Sequence, residues 1–371
     1  MRRDGGTTLD QILAESQSLG KYDVGETIEG LAVKLGRKPS EILKLNSNEN
    51  FFVPLDLLRE TLKEVVEEVD PRIYPRDETR DLRDALSRHV GVPAEEIVVG
   101  TGSDQLIDLV SKMFLRSGDE ALSVDPTFSI YERCVRIQGG LYKSIPLRED
   151  FSLDAAKMLS SVTPRTRLIF LCSPNNPTAN QFTQKDIQIL AEGFDGLIAV
   201  DEAYVDFSDG SVVDLIEDYQ NIAVFRTFSK VFGLAGLRVG CAIASSELAK
   251  VMNERFQMPY SVTLIGLKTA LKLLEKTETI RGAIEDVKAE RSRLIEKLTK
   301  MKGAKAFDSK TNFVLFQVER SSDEVYEELL RKGVIVRNIG RVLQFENCLR
   351  VTVAPPTMTK RFLDTLGEVL D

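Results

Sequence analysis

The chain has 371 residues, of which 43% are hydrophobic and 29% charged, as expected for a soluble globular protein large enough for more than one core. Its net charge of −8 argues against a nucleic-acid surface. No stretch approaches the roughly 20 apolar residues of a membrane span, so a cytoplasmic protein is expected. Four widely spaced cysteines without a CxxC pair predict neither a disulfide framework nor a metal site, and one histidine, His89, excludes any site built from several histidines.

The first two thirds of the chain alternates helices with short apolar strands. In chain order, helical spacing and short apolar runs predict helices at 54–69 and 78–90, a strand at 97–99, a helix at 106–114, a strand at 120–124, a helix at 129–137, and strands at 167–172, 196–200 and 222–228. Continuously apolar strands separated by helices indicate a sheet covered on both faces. The predicted fold class is therefore α/β with a mostly parallel sheet.

The pattern changes after about residue 260. A long charged helix is predicted at 264–300, followed by a strand at 312–316, a helix at 322–332 and strands at 334–337 and 348–353. These elements predict a smaller α+β domain at 261–371. We expect residues 1–50 to join that small domain and residues 51–260 to form the large domain.

Polar clusters follow the apolar strands directly, and this position is typical of a ligand site in an open α/β sheet. The first cluster is a glycine turn before a helix, which suits a phosphate because the helix N-terminus carries unpaired N–H groups. A dinucleotide site is disfavoured because the third glycine of GxGxxG is absent. The clusters are Gly100-Thr101-Gly102-Ser103-Asp104, Pro126-Thr127-Phe128, Ser173-Pro174-Asn175-Asn176-Pro177-Thr178, Asp201-Glu202-Ala203-Tyr204 and Ser229-Lys230.

Lys230 follows an apolar strand, where burying an ammonium group costs several kcal/mol unless something compensates. One compensation is a Schiff base between the amine and a carbonyl cofactor, and the alternative is a lysine that reaches back to water. With a pyridine-aldehyde phosphate as cofactor, Lys230 would hold the aldehyde and move the proton. Asp201 would pair with the ring nitrogen, although a helix N-cap is the alternative for that residue.

The other strand-end residues fit the remaining parts of such a cofactor. Tyr204 and Asn176 would bond to the ring hydroxyl, and Phe128 would stack on the ring, with a core position as its alternative. The phosphate would meet Ser103, Asp104, Ser229 and Arg238, of which the arginine could instead form a surface ion pair. Arg337 and Arg350 stand in apolar strands and predict an anion there, or else interior ion pairs with Glu319 and Glu346.

These stretches together resemble the fold-type I aminotransferases that depend on pyridoxal 5′-phosphate (PLP), and within them the histidinol-phosphate aminotransferases. The resemblance rests on the clusters above, on Tyr74-Pro75, on Leu45-Asn46-Ser47-Asn48-Glu49-Asn50, on an arginine eight residues after Lys230, and on Leu349-Arg350-Val351-Thr352-Val353. It runs from about residue 20 to the end of the chain. One departure is Ala179, where the family usually has a glycine.

The resemblance implies a homodimer with sites at the subunit interface and an amino-group transfer between histidinol phosphate and 2-oxoglutarate in histidine biosynthesis. It implies Lys230, Asp201 and Tyr204 as catalytic residues. Tyr74 would reach the cofactor phosphate of the partner subunit. The substrate would meet Tyr22, Asn48, Arg337 and Arg350, the last of which would take the α-carboxylate of glutamate.

Other functions stay open at this point. An aromatic or broad-specificity aminotransferase, or a phosphothreonine decarboxylase of the same fold, would keep Lys230, Asp201 and Asn176. A nicotinamide-dependent dehydrogenase would bind its cofactor at residues 100–105. A regulatory module of the same fold would need an added DNA-binding segment or a lost lysine.

Overall fold

The computed structural model describes residues 7–17, 19 and 24–371. The strands of this part of the chain are β1 Leu43–Lys44, β2 Ile97–Gly100, β3 Glu120–Asp125, β4 Leu141–Pro146, β5 Thr166–Cys172, β6 Leu197–Asp201, β7 Ile222–Thr227, β8 Gly240–Ala244, β9 Ala304–Ala306, β10 Phe313–Val318, β11 Val334–Ile335, β12 Arg337–Val342 and β13 Phe345–Thr352.

The helices of the same residues lie around and between these strands. They are α1 Thr8–Gln17, α2 Ile28–Leu35, α3 Leu55–Glu68, α4 Asp77–Val90, α5 Gly102–Phe114, α6 Ile130–Ile137, α7 Ala155–Ser160, α8 Gln184–Gly193, α9 Leu215–Asp218, α10 Ser246–Val251, α11 Leu264–Leu274, α12 Thr277–Lys300, α13 Ser322–Arg331 and α14 Pro356–Leu370. No helix among the described residues is both long and apolar enough to cross a bilayer.

The larger sheet has the strand order β2-β8-β7-β6-β5-β3-β4. β3 to β7 run parallel to one another, and β8 is antiparallel to both of its neighbours. β6 is buried along its whole length, which explains why its sequence is almost continuously apolar. The predicted α/β class with a mostly parallel sheet is confirmed.

A second sheet lies in the C-terminal part of the chain, with the order β12-β13-β10-β9 and antiparallel pairing throughout. The N-terminal strand β1 pairs in parallel with β11. Thr352 at the end of β13 also donates its backbone N–H to the carbonyl of Leu45. Residues 43–45 are therefore attached to the C-terminal part of the chain.

The structure corrects several predicted elements. The single helix predicted at 264–300 is wrong: it is divided into α11 and α12, because α11 packs on α3 and α4 whereas α12 packs on β9 and β10. The predicted strand 334–337 is also divided, since β11 pairs with β1 while Arg337 begins β12 in another sheet. The helix predicted from residue 106 begins four residues earlier, at Gly102.

Ala179 occupies a backbone position that favours glycine. Its φ is +64°, in the left-handed region, and its side chain is completely buried. Its N–H donates to the carbonyl of Asn175 at 2.8 Å, so the turn after the polar cluster is closed in spite of the β-carbon. The departure from the family glycine leaves this turn formed.

Candidate active site

A cavity of about 600 Å³ opens at the carboxyl ends of the parallel strands. It brings together twelve of the predicted site residues: Asn48, Ser103, Asp104, Phe128, Asn176, Asp201, Tyr204, Ser229, Lys230, Arg238, Arg337 and Arg350. Tyr74 is outside the lining of this cavity and is 70% exposed. Tyr22 lies outside the described residues.

The strand directions explain why these residues meet. β6 ends at Asp201, and β7 ends at Thr227, just before Ser229 and Lys230. β8 is antiparallel, so its beginning lies at the same edge of the sheet, and Arg238 precedes it by two residues. Chain direction therefore brings Arg238 to the edge where the parallel strands end.

One end of the cavity is built around the N-terminus of α5, where the first N–H groups have no partner within the helix. Arg238 donates from Nη1 to Ser229 Oγ at 3.1 Å and from Nη2 to Asp104 Oδ2 at 3.0 Å. A β-carbon on Gly102 would lie 2.7 Å from Arg238 Nη2, so only glycine lets the guanidinium approach this turn. A guanidinium beside a helix N-terminus suits a phosphate group.

Lys230 reaches from the end of β7 into the cavity. Its Nζ donates to the backbone carbonyl of Ser47 at 2.9 Å and lies 5.8 Å from the ring centroid of Tyr204. Burial, with the nearby charge of Arg350, lowers the pKa of Lys230 to about 8. A large fraction of this amine is therefore neutral and nucleophilic near pH 8, unlike an exposed lysine.

Asp201 is buried at the end of β6. Its Oδ2 accepts a hydrogen bond from the Tyr131 hydroxyl at 2.8 Å, and its Oδ1 accepts one from the Ala203 N–H at 3.2 Å. Burial raises the pKa of Asp201 to about 7, against the opposing effect of the Tyr131 hydrogen bond. Sequence reasoning missed Tyr131, although it stands only three residues after Phe128, at the start of α6.

Between these groups lie the side chains predicted to surround a cofactor ring. Phe128 packs edge-on against Tyr131, with ring centroids 5.7 Å apart. The Tyr204 hydroxyl accepts a hydrogen bond from Asn48 Nδ2 at 2.9 Å, and burial raises the pKa of Tyr204 above its ordinary value. Asn48 Oδ1 is buried and has no hydrogen-bond partner among the residues that the structure describes. A buried acceptor of this kind calls for a donor from a bound molecule.

The other end of the cavity is positively charged. Arg337 on β12 stands directly opposite Arg350 on β13. Arg350 donates from Nη2 to the Asn46 carbonyl at 2.8 Å and from Nη1 to Asn176 Oδ1, and its guanidinium lies over the ring of Phe313. Asn176 therefore links the cofactor region to the arginine pair.

The structure pairs Glu346 with Arg341 and not with Arg350, which was the alternative partner. Glu346 lies 3.3 Å from Arg341 Nε, on the exposed edge of the same sheet. Both arginines of the pair line the cavity, and a guanidinium suits an anionic ligand.

Comparison with known proteins gives the class first. A family model described as "Aminotransferase class I and II" matches residues 40–369, and the chain belongs to this family. It is accordingly a PLP-dependent aminotransferase, as the resemblance predicted. The dehydrogenase alternative is thereby excluded.

Individual relatives have names that specify the substrate as well as the class. The chain is 40% identical over 354 residues to the histidinol-phosphate aminotransferase of Methanosarcina mazei, covering 94% of each protein. It shares its fold with the Sinorhizobium meliloti histidinol-phosphate aminotransferase in complex with PLP, at a TM-score of 0.86 and 23% identity over 96% of both chains. It also resembles the L-threonine-O-3-phosphate decarboxylase of Porphyromonas gingivalis, at a TM-score of 0.76 and 22% identity over 89% of this chain and 99% of that one.

The residues of the cavity fit PLP. The glycine turn lets Arg238 lie against a helix N-terminus, because a β-carbon on Gly102 would be only 2.7 Å from Arg238 Nη2. The same cavity contains the buried carboxyl of Asp201, the amine of Lys230 with its lowered pKa, and the buried acceptor Oδ1 of Asn48. In chemical kind, the helix N-terminus with Arg238 suits the phosphate, Asp201 the ring nitrogen and Lys230 the aldehyde. The Asn48 acceptor suits the ring hydroxyl or a donor on the substrate.

Proposed function

We propose that the enzyme transfers an amino group between histidinol phosphate and 2-oxoglutarate, in histidine biosynthesis. The observation that carries the proposal is one cavity that contains both Lys230 and the pair Arg337 and Arg350. An amino donor that carries a phosphate needs cationic groups in addition to those that hold the cofactor. The name of the M. mazei relative supports the same substrate.

The cofactor, when bound, supplies an electron sink for the carbon next to the amino group. Lys230 would hold its aldehyde and, once displaced by substrate, would move the proton at that carbon, which its lowered pKa suits. Asp201 would hold the ring nitrogen in its protonated form. Tyr204 and Asn176 would position the ring hydroxyl, and Phe128 would cover the ring face.

The phosphate of the cofactor would be held at the N-terminus of α5. Ser103 and Asp104 supply N–H groups there, and Ser229 and Arg238 supply a hydroxyl and a guanidinium. The contact between Arg238 and Asp104 aims the guanidinium at this turn. We assign these four residues to phosphate binding.

The substrate would lie between Lys230 and the arginine pair. Arg350 would take the α-carboxylate of glutamate, and Arg337 with Arg350 would take the phosphate of histidinol phosphate. Asn48 would contribute its buried Oδ1, which has no partner within the described part of the chain. Replacing Arg337 by Gln should therefore slow the reaction with histidinol phosphate more than the reaction with glutamate, whereas Arg350→Gln should slow both.

We further propose a cytoplasmic homodimer whose protomers each have an N-terminal segment at 1–50, a large domain at 51–260 and a small domain at 261–371. Exposed side chains with large apolar surfaces support the dimer: Tyr74 stacks on Tyr260 with ring centroids 4.7 Å apart, and both are at least half exposed, as are Ile73 and Met258. Tyr74 would reach the cofactor phosphate of the partner. Light scattering after size-exclusion chromatography should give twice the mass of the chain, and a mass of one chain would contradict the dimer.

Single-turnover absorbance measurements test the substrate. The PLP-loaded enzyme is mixed separately with histidinol phosphate, glutamate, phenylalanine and O-phosphothreonine, and loss of the cofactor's original visible band is followed. Fast conversion by the first two and slow conversion by phenylalanine is expected. A preference for phenylalanine would move the enzyme to the aromatic class, and release of CO₂ from O-phosphothreonine would make it a decarboxylase. Lys230→Ala should abolish conversion, whereas Lys112→Ala on the exposed face of α5 should not.

A further inference from the structure

Tyr131 contacts Asp201, the acid proposed to hold the ring nitrogen of PLP, but no role has yet been assigned to Tyr131 itself. Its hydroxyl donates to Asp201 Oδ2 at 2.8 Å. Tyr131 is completely buried and lies three residues after Phe128, which borders the cavity.

The ring of Tyr131 is held on two sides. It stacks on Phe170 of β5 with ring centroids 5.1 Å apart and planes 1° from parallel, and it meets Phe128 edge-on. Such aromatic packing fixes the ring in one orientation. The position of the hydroxyl is therefore set by the core of the protein and not by the ligand.

The Tyr131 hydrogen bond acts on a carboxylate with few other partners. The second oxygen of Asp201 accepts from the Ala203 N–H at a longer distance of 3.2 Å. Burial favours the neutral form of this acid, and the Tyr131 hydroxyl favours the charged form. Burial also raises the pKa of Tyr131 well above its ordinary value, so the hydroxyl stays protonated and keeps the proton that it donates to Asp201.

We propose that Tyr131 is a positioning residue, whose hydroxyl keeps Asp201 negatively charged and fixed in place so that this acid can hold the ring nitrogen of PLP protonated. The inference rests on the role given to Asp201 in the proposed function. Tyr131 acts through Asp201 and does not itself touch the cofactor or substrate.

Tyr131→Phe tests the proposal, because it removes one oxygen and keeps the ring in its packing site. We expect the dissociation constant for PLP to rise about tenfold, the effect of losing a hydrogen bond to a charged acceptor. PLP labelled with ¹⁵N at the ring nitrogen should give a signal at the protonated position in the wild type and a signal displaced toward the unprotonated position in the variant. The matched control is Tyr219→Phe, which removes a tyrosine hydroxyl bonded to Glu192 Oε1 at 2.9 Å outside the cavity and should change neither quantity.

A double-mutant cycle with Asp201→Asn separates positioning from packing. If Tyr131 acts through the charge of Asp201, Tyr131→Phe should raise the PLP dissociation constant about tenfold in the wild-type background and less than twofold in the Asp201→Asn background. An equal effect in both backgrounds, or an unchanged ¹⁵N signal in Tyr131→Phe, would overturn the proposal while the aminotransferase function stands. A wild-type protein that does not bind PLP would overturn both.

Discussion

Replacing Asp201 by Asn should make the cofactor-free protein more stable, by an amount that grows with pH. Burial raises the pKa of Asp201 from 3.8 to about 7, so the folded protein binds a proton that the unfolded chain releases between these values. The wild type therefore loses stability as the pH rises through this window. A shift of about 3 units corresponds to a full loss of about 4 kcal/mol.

Urea unfolding at pH 5 and pH 7.5 measures this effect in cofactor-free protein. Between these two values the advantage of Asp201→Asn should increase by about 2 to 3 kcal/mol, since much of the proton linkage falls in this range. Lys230 does not obscure the result, because its lowered pKa of about 8 places its contribution mainly at higher pH, where stability rises as the pH increases. Asp195→Asn, an exposed control, should differ from wild type by no more than about 0.5 kcal/mol at both values.

An advantage that is the same at pH 5 and pH 7.5 would refute this reasoning, because it would mean that Asp201 is ionised to the same extent in folded and unfolded protein. With PLP bound, the wild type should be more stable than Asp201→Asn, because the protonated ring nitrogen would compensate the buried charge of Asp201. The amide of the variant carries no such charge. A variant that bound PLP as tightly as the wild type would contradict the role of Asp201.

Two further substitutions have clear expected outcomes. Gly240→Ala should destabilise the fold by about 1 to 3 kcal/mol and weaken PLP binding, since its β-carbon would lie 2.6 Å from the backbone carbonyl carbon of Gly102. The control, Gly367→Ala on an open face of α14, should be neutral or stabilising in the same urea titration. Glu202→Gln should lower the free energy of unfolding by about 3 to 5 kcal/mol, because it removes the carboxylate that lies 3.0 Å from the partly buried guanidinium of Arg226. A loss below about 1 kcal/mol would show that this ion pair is effectively solvated.

Much of the fold could be predicted from the sequence because the large sheet is buried on both faces. Largely apolar runs such as 167–172 and 222–228 therefore predicted the strands, and the residues after them predicted the edge where the cavity lies. The amphipathic pattern of 264–300 could not reveal the break between α11 and α12, since both helices keep the same spacing and only their different packing partners separate them.

The cavity was predictable only in part. Lys230 and Asp201 follow predicted strands, but the edge strand β4 and the antiparallel strand β8 were missed, and it is the direction of β8 that brings Arg238 to the same edge. The carbonyl of Ser47 and the hydroxyl of Tyr131 act through contacts between distant parts of the chain, which no local pattern reports. The individual roles given to the cavity residues remain predictions.

The most direct test of the account is to find where PLP attaches. Borohydride reduction of the PLP-loaded protein, followed by proteolysis and mass spectrometry, identifies the modified lysine. We predict that the cofactor mass lies on Lys230 and that Lys230→Ala carries no stoichiometric label. A label on another lysine of the wild type, or none at all, would contradict the assignment on which the proposed mechanism depends.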